Sequence, residues 1–159
     1  MYLNAEEYLN DIRQKGKEIR SLRNALSAID KDLEASAITY NPDSIHTNVP
    51  RKDGLEELAF KHLERRDKII RALETAITER SEAIEEAIRY INQIDQPKQR
   101  EILIWFYIEG KEWSEIFRMR EEEGIFEPRG AFALRDRGID TLNKIFIAEI
   151  TEGDTVEIQ

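Results

Sequence analysis

The segment ILIWFYIEGKEWSEIF, residues 102–117, decides the fold of this chain. It opens with seven consecutive apolar residues, from Ile102 to Ile108, and it contains both tryptophans of the sequence. Most of the remaining chain is strongly charged, and charged residues make up 36% of all 159 positions. A helix that is apolar on nearly every side is stable only inside a core. We therefore expect the segment to form the buried centre of a small helical unit.

Signals on both sides of this segment divide the region into three helices. Pro97 suits the first turn of a helix, and Gly110 suits the position just after its end. A second helix then runs from Trp113 to about residue 122, and Pro128 opens a third. Three helices in close succession, the middle one short, predict a helix-turn-helix. Its expected core residues are Ile104, Phe106, Trp113, Ile116, Leu134 and Leu142.

Two long helices are predicted before this unit. Between Ile19 and Leu33 apolar residues recur at spacings of three and four, which is the heptad pattern of a coiled coil. Residues 37–54 have no helical period and contain Pro, Asn and Asp-Gly, so they are expected to form a loop. A second helix with a thin apolar stripe follows from about residue 55 to 94. A helix with a thin apolar stripe is stable only when it packs against another helix. Two such helices in succession predict an antiparallel hairpin.

The predicted fold class is therefore all-α, with a long, coiled-coil-like antiparallel hairpin followed by a three-helix helix-turn-helix unit. The expected divisions are residues 1–95 for the hairpin, 96–148 for the helix-turn-helix and 149–159 for an acidic tail. His62 lies near the apolar seam of the second helix and is expected to pack there as a seam residue.

Several classes of function are disfavoured by composition. The sequence has no Cys, and its two histidines, His46 and His62, lie in unrelated contexts, so we expect no metal site and no cofactor. No Gly-rich phosphate loop and no nucleophile–base pattern is present, so no catalytic residue is expected. The longest apolar run is too short to span a membrane, and the amino terminus does not resemble a signal peptide. We expect a cytoplasmic protein that is not an enzyme.

The third helix of the predicted helix-turn-helix is locally basic. Residues 128–144 hold four basic and two acidic residues, whereas the chain after residue 100 holds 14 acidic and 7 basic residues. Arginine can read guanine or clamp phosphates, so double-stranded DNA is the expected partner. The candidate DNA-binding residues are Arg118, Arg129, Phe132, Arg135, Arg137 and Lys144. The acidic excess leaves an alternative open, namely a helical adaptor or assembly protein that works through its charged hairpin.

A family resemblance rests on the pattern REILIWFYIEGKEWSEIF … FALRDRGIDTLNKIF. This pattern resembles the region-4-type helix-turn-helix of sigma factors. More closely, the chain is similar to small phage transcriptional activators of the RinA and ArpU type. Residues 100–117 align with their R-x-I-L-x-x-R-Y-I-E-G-x-x-W-x-E-I-A motif, and residues 131–142 align with their V-x-x-L-H-x-R-A-L-x-x-L motif. An EYLNDIR opening and a SAITY segment extend the similarity over residues 5–146.

The resemblance implies sequence-specific DNA binding that activates late phage genes. It also implies that Arg135 stands in the place of a histidine, that Arg137 matches an arginine and that Gly138 replaces an alanine. The hairpin would then serve in dimerisation or in contact with RNA polymerase, in the cytoplasm of the host cell.

Overall fold

The structure, a computed structural model, describes residues 4–39, 52–125 and 128–154. Five α-helices account for nearly all of these residues: α1 (Ala5–Thr39), α2 (Lys52–Ile91), α3 (Pro97–Leu103), α4 (Trp113–Glu122) and α5 (Pro128–Asp154). A single π-helical segment, Ile104–Ile108, continues α3. The predicted all-α fold class is confirmed, since the described part of the chain contains no strand.

The ends of the long helices differ from the sequence-based boundaries. Helix α1 extends to Thr39 and α2 begins at Lys52, so both encroach on the loop expected at 37–54. Residues 40–51 lie outside the described residues. At its start, α1 is capped as the sequence indicated, because the Asn4 side chain accepts a hydrogen bond of 2.8 Å from the backbone N–H of Glu7.

The acidic tail expected at 149–159 is helical in its first part, because α5 continues to Asp154. Two side-chain contacts hold this extension. The hydroxyl of Tyr90 donates to the carboxylate of Glu149 at 2.8 Å, and the hydroxyl of Thr151 donates to the carbonyl of Ile147 at 2.7 Å. Residues 155–159 lie outside the described residues.

The chain forms two compact units. The first unit contains residues 1–17 and 79–159, and the second contains residues 18–78. The boundary expected between residues 95 and 96 therefore falls inside the first unit. The cause is the core of that unit, in which Leu9 and Ile12 of α1 pack with Ile91, Tyr107 and Leu142.

Within the first unit, helices α1 and α2 contact each other in an antiparallel arrangement. The Tyr8 hydroxyl donates to the carbonyl of Ala83 at 3.3 Å, and Arg80 Nε donates to the carbonyl of Ile12 at 3.3 Å. As the residue number rises along α1, it falls along α2, which is the order of antiparallel helices. The coiled-coil character of the hairpin stays a prediction.

The second unit consists of the middle of the chain, and its described helices are parts of α1 and α2. Arg66 Nε and the Asp30 carboxylate form an ion pair of 2.8 Å across the two helices. Leu63 and Phe60 are exposed. His62 is half-buried, and its Nδ1 atom is buried without a hydrogen-bond partner.

Within the described ranges, no helix combines the length and the apolar character needed to cross a membrane.

Candidate nucleic-acid interface

The turn between α3 and α4 follows from a change of helical pitch. In the π-helical segment the backbone N–H of Glu109 donates to the carbonyl of Ile104 at 2.8 Å, five residues back. Gly110 then adopts a φ of 70°, which glycine reaches without the steric penalty of a side chain. The N–H of Lys111 donates to the carbonyl of Trp105 at 2.9 Å and closes the turn. The sequence-based position of Gly110 just after the helix end is confirmed.

Helix α4 begins with a capping contact made by acidic side chains. The backbone N–H of Glu112, the N-cap residue, donates to the carboxylate of Glu115 at 2.9 Å. Ile116 on the inner face is fully buried, against Ile102 of α3 and Ala131 of α5. The short middle helix is thus anchored to both neighbours in the three-helix unit.

Four of the six expected core residues lie at the edge of the core instead of its centre. Ile116 and Leu142 are fully buried, whereas Ile104, Phe106, Trp113 and Leu134 are half-buried and pack against the buried clusters. The sequence pattern did not single out Tyr107, which is only 1% exposed. Burial of its ring raises the pKa of the Tyr107 hydroxyl to about 12.

Helices α3 and α5 approach closely at Gly138. A Cβ atom added there would lie 2.9 Å from Leu103 Cδ1 and 3.1 Å from Leu103 Cγ. Leu103 is fully buried. A glycine inside a helix is unfavourable by about 1 kcal/mol relative to alanine, and the contact with Leu103 explains why this position holds one. Gly138 therefore sets the spacing at which α5 lies on α3.

Phe132, expected as a DNA contact, lies mainly against other aromatic rings. Its ring centroid is 4.5 Å from that of Trp113 and 5.6 Å from that of Phe117. The side chain is still 38% exposed. Trp113 in turn stacks on Phe106 at 4.6 Å between ring centroids. The four rings join α4 and the start of α5 to the π-helical segment.

Arg135 is held by its own neighbours. Its Nη2 atom lies 2.7 Å from the carboxylate of Asp136, and its guanidinium lies 5.6 Å from the Trp113 ring centroid and 6.0 Å from that of Phe132. The charge of Arg135 is thus largely balanced, and its plane faces two aromatic rings. Spacing alone predicted that Arg135 contacts DNA, but the structure places its guanidinium beside the rings of Trp113 and Phe132.

The other four basic candidates are exposed: Arg118 on α4 and Arg129, Arg137 and Lys144 on α5. Among the described residues, none of these four side chains has a carboxylate within ion-pair distance.

The outer face of α5 also carries carboxylates. At about 100° per residue, Arg137 and Lys144 project within roughly 20° of each other, and Asp140 projects close to both. Asp140 is exposed, as is Asp136. The basic side chains on this face are therefore interrupted by acidic ones.

Two arginines that the sequence analysis did not select hold the carboxyl end of the π-helical segment. Arg13 donates to the carbonyl of Phe106, and Arg80 donates to the carbonyl of Ile108. Helix ends leave carbonyl groups without backbone partners, and cations near a helix carboxyl terminus are stabilising. Arg13 and Phe106 are 93 residues apart in sequence, so no local pattern indicates the contact.

Among the described residues, no group of three or more acidic or histidine side chains is arranged to hold a metal ion. No family model, curated protein or solved structure matches this chain.

Proposed function

We propose that this protein is a transcription regulator that binds double-stranded DNA with the outer face of α5. The observation that carries the proposal is a set of exposed cations on the last helix of a three-helix unit, Arg129, Arg137 and Lys144, which have no carboxylate within ion-pair distance among the described residues. In a helix-turn-helix this helix enters the major groove. Similarity of the sequence to small phage activators supports the same role.

The spacing of the three cations suggests different tasks. Arg129 and Lys144 are 15 residues apart, or about 22 Å along the helix axis. The major groove is only about 12 Å wide, so the two end residues would contact phosphates on its opposite sides. Arg137, between them, would reach the base edges. Arg118 on α4 would add a further phosphate contact.

Arg135 and Phe132 have supporting roles in this proposal. The packing of Phe132 on Trp113 and the contact of the Arg135 guanidinium with the Trp113 ring hold the start of α5 against α4. The predicted hairpin of α1 and α2 would mediate dimerisation or contact RNA polymerase, and the protein would act in the cytoplasm of a phage-infected cell.

The overall net charge of −9 does not oppose this binding strongly. At physiological ionic strength the Debye length is about 8 Å, so only nearby carboxylates weaken the interface. Asp140 is the exposed acid closest in projection to Arg137 and Lys144.

The test is a titration of labelled double-stranded DNA from a phage late promoter, followed by fluorescence anisotropy at several salt concentrations. Three phosphate contacts give a slope of log affinity against log salt of about −2.7, or a roughly 40-fold loss between about 50 and 200 mM salt. Arg129→Ala or Lys144→Ala should each reduce the slope by about 1. Arg23→Ala, a change at an exposed residue of α1, is the matched control and should leave the slope unchanged.

A second candidate function is favoured by one observation. The carboxylates of Asp136 and Asp140 share the outer face of α5 with its cations, as expected of a surface that binds a protein of mixed charge. Asp140→Asn separates the two candidates. It should increase DNA affinity several-fold if α5 lies on a phosphate backbone. If neither the native chain nor Asp140→Asn binds DNA, the result favours the adaptor function.

A further inference from the structure

Arg13 has an unusual set of partners for a residue near the start of a chain. Its side chain is only 7% exposed. Nη1 donates to the carbonyls of Phe106 and, at 3.0 Å, Lys111, while Nη2 donates to the carboxylate of Glu112 at 2.8 Å. The guanidinium also lies 4.0 Å from the centroid of the Phe106 ring. All of these partners belong to the α3–α4 turn or the segment just before it.

The contacts of Arg13 extend across both sides of the turn. Phe106 belongs to the π-helical segment before the turn, and Glu112 is the N-cap residue of α4 after it. A planar guanidinium with five N–H donors can hold two carbonyls and a carboxylate together, whereas the ammonium of lysine acts as a single compact charge. The geometry of the turn thus depends on an arginine supplied by another helix.

The influence of Arg13 continues to α5 through ring contacts. Phe106, below the guanidinium, stacks on Trp113 at 4.6 Å, and Trp113 lies 4.5 Å from Phe132 near the start of α5. Each contact is between half-buried or partly exposed rings of the same unit. A change in the position of Phe106 would therefore be passed to the helix that carries Arg129 and Arg137.

We infer that Arg13 is a positioning residue, which fixes the α3–α4 turn and thereby orients α4 and α5 for DNA binding without touching DNA. The DNA-binding part of this inference rests on the proposed function. The part that concerns the turn does not, because it can be measured on the free protein.

The test uses Arg13→Lys, which keeps the net charge and a single ion pair to Glu112 but cannot reproduce the donor fork. Hydrogen exchange of the Lys111 amide, which donates to the carbonyl of Trp105, reports on the turn. We expect this exchange to become at least about tenfold faster in Arg13→Lys, and DNA affinity to fall about tenfold under conditions where the protein remains folded.

The matched control is Leu9→Ala, which removes a fully buried apolar side chain from the same unit without removing a hydrogen bond to the turn. Under native conditions it should leave DNA affinity within about twofold, because reduced stability alone does not alter a site in protein that remains folded. If the Lys111 amide of Arg13→Lys exchanged at the rate of the native chain, the positioning role would be overturned. Equal loss of affinity in the two variants would also overturn it.

The same design separates the two proposals. If the native chain binds no DNA, the proposed function fails. Faster exchange at Lys111 in Arg13→Lys, but not in Leu9→Ala, would still establish that Arg13 positions the turn.

Discussion

Replacing Gly138 with alanine tests the close packing of α5 on α3. Two effects of known sign oppose each other at this position. Helix propensity favours alanine by about 1 kcal/mol. Against this, the new Cβ would lie 2.9 and 3.1 Å from two carbon atoms of Leu103, well inside the usual contact distance of about 3.5–4.0 Å. Leu103 is fully buried, so relieving this contact would displace side chains that are already close-packed.

Overpacking of a core typically costs about 1–3 kcal/mol. After subtraction of the propensity gain, Gly138→Ala should lower the free energy of unfolding by about 1 kcal/mol, with an upper bound near 2 kcal/mol. For a chain of this length, that corresponds to a decrease in Tm of about 2–8 °C. The exposed surface of α5 should be unchanged, apart from the small shift that relieves the contact.

Urea denaturation followed by far-UV circular dichroism measures this change, with the m-value checked for constancy. Gly54→Ala is the control, because no heavy atom lies within 4 Å of an added Cβ at Gly54. This control should be neutral or more stable by up to about 1 kcal/mol. A Gly138→Ala protein more stable than the native chain by about 1 kcal/mol would refute the close-packing argument, since helix propensity would then be the only effect.

Three further predictions concern the core, the ionisation of a buried ring and the extent of the folding unit. Leu9→Ala should lower the free energy of unfolding by about 2–5 kcal/mol. Leu63→Ala, at a side chain 49% exposed, should change it by less than about 1 kcal/mol. The denaturant midpoints of the two variants measure both changes. The raised pKa of Tyr107, about 12, means that its neutral form contributes stability that is complete below the unfolded-state pKa of about 10 and is lost as pH rises towards 12. The stability of the native chain should therefore fall relative to that of Tyr107→Phe over that pH range, and parallel curves would contradict the burial argument. The fragment 96–159 alone should lack a cooperative unfolding transition, because its buried residues lose their partners from α1 and α2; a sharp transition would show that it folds independently.

Much of the helical content follows from local patterns. The apolar run at 102–108, Pro97 and Gly110 predict the helix, its start and the turn after it, and the structure has all three. Capping of α1 by Asn4 could also be predicted from the sequence, since the contact joins residues three positions apart. The loop and tail boundaries were less accurate, because a helix can continue beyond its apolar stripe when backbone and side-chain hydrogen bonds support it.

The candidate site could be predicted only in part from the sequence. Spacing placed Arg135 and Arg137 on the same basic helix, but it could not distinguish the pairing of Arg135 with Asp136 and Trp113 from the exposure of Arg137. Neighbours at i and i+1 do not normally face each other on a helix. The ring of Trp113 that Arg135 faces comes from another helix, and a helical period contains no information about it.

The sequence by itself determined that this protein is built from helices, where the three helices of its last part begin, and where its cations are placed along α5. Helical period and capping depend on residues within a few positions of one another, so they are visible in the chain. Only the tertiary structure decided that Gly138 is a contact point for Leu103, that Arg13 holds a turn 93 residues away, and that Arg135 but not Arg137 pairs with a carboxylate of the described residues. Those properties depend on atoms that distant segments bring together.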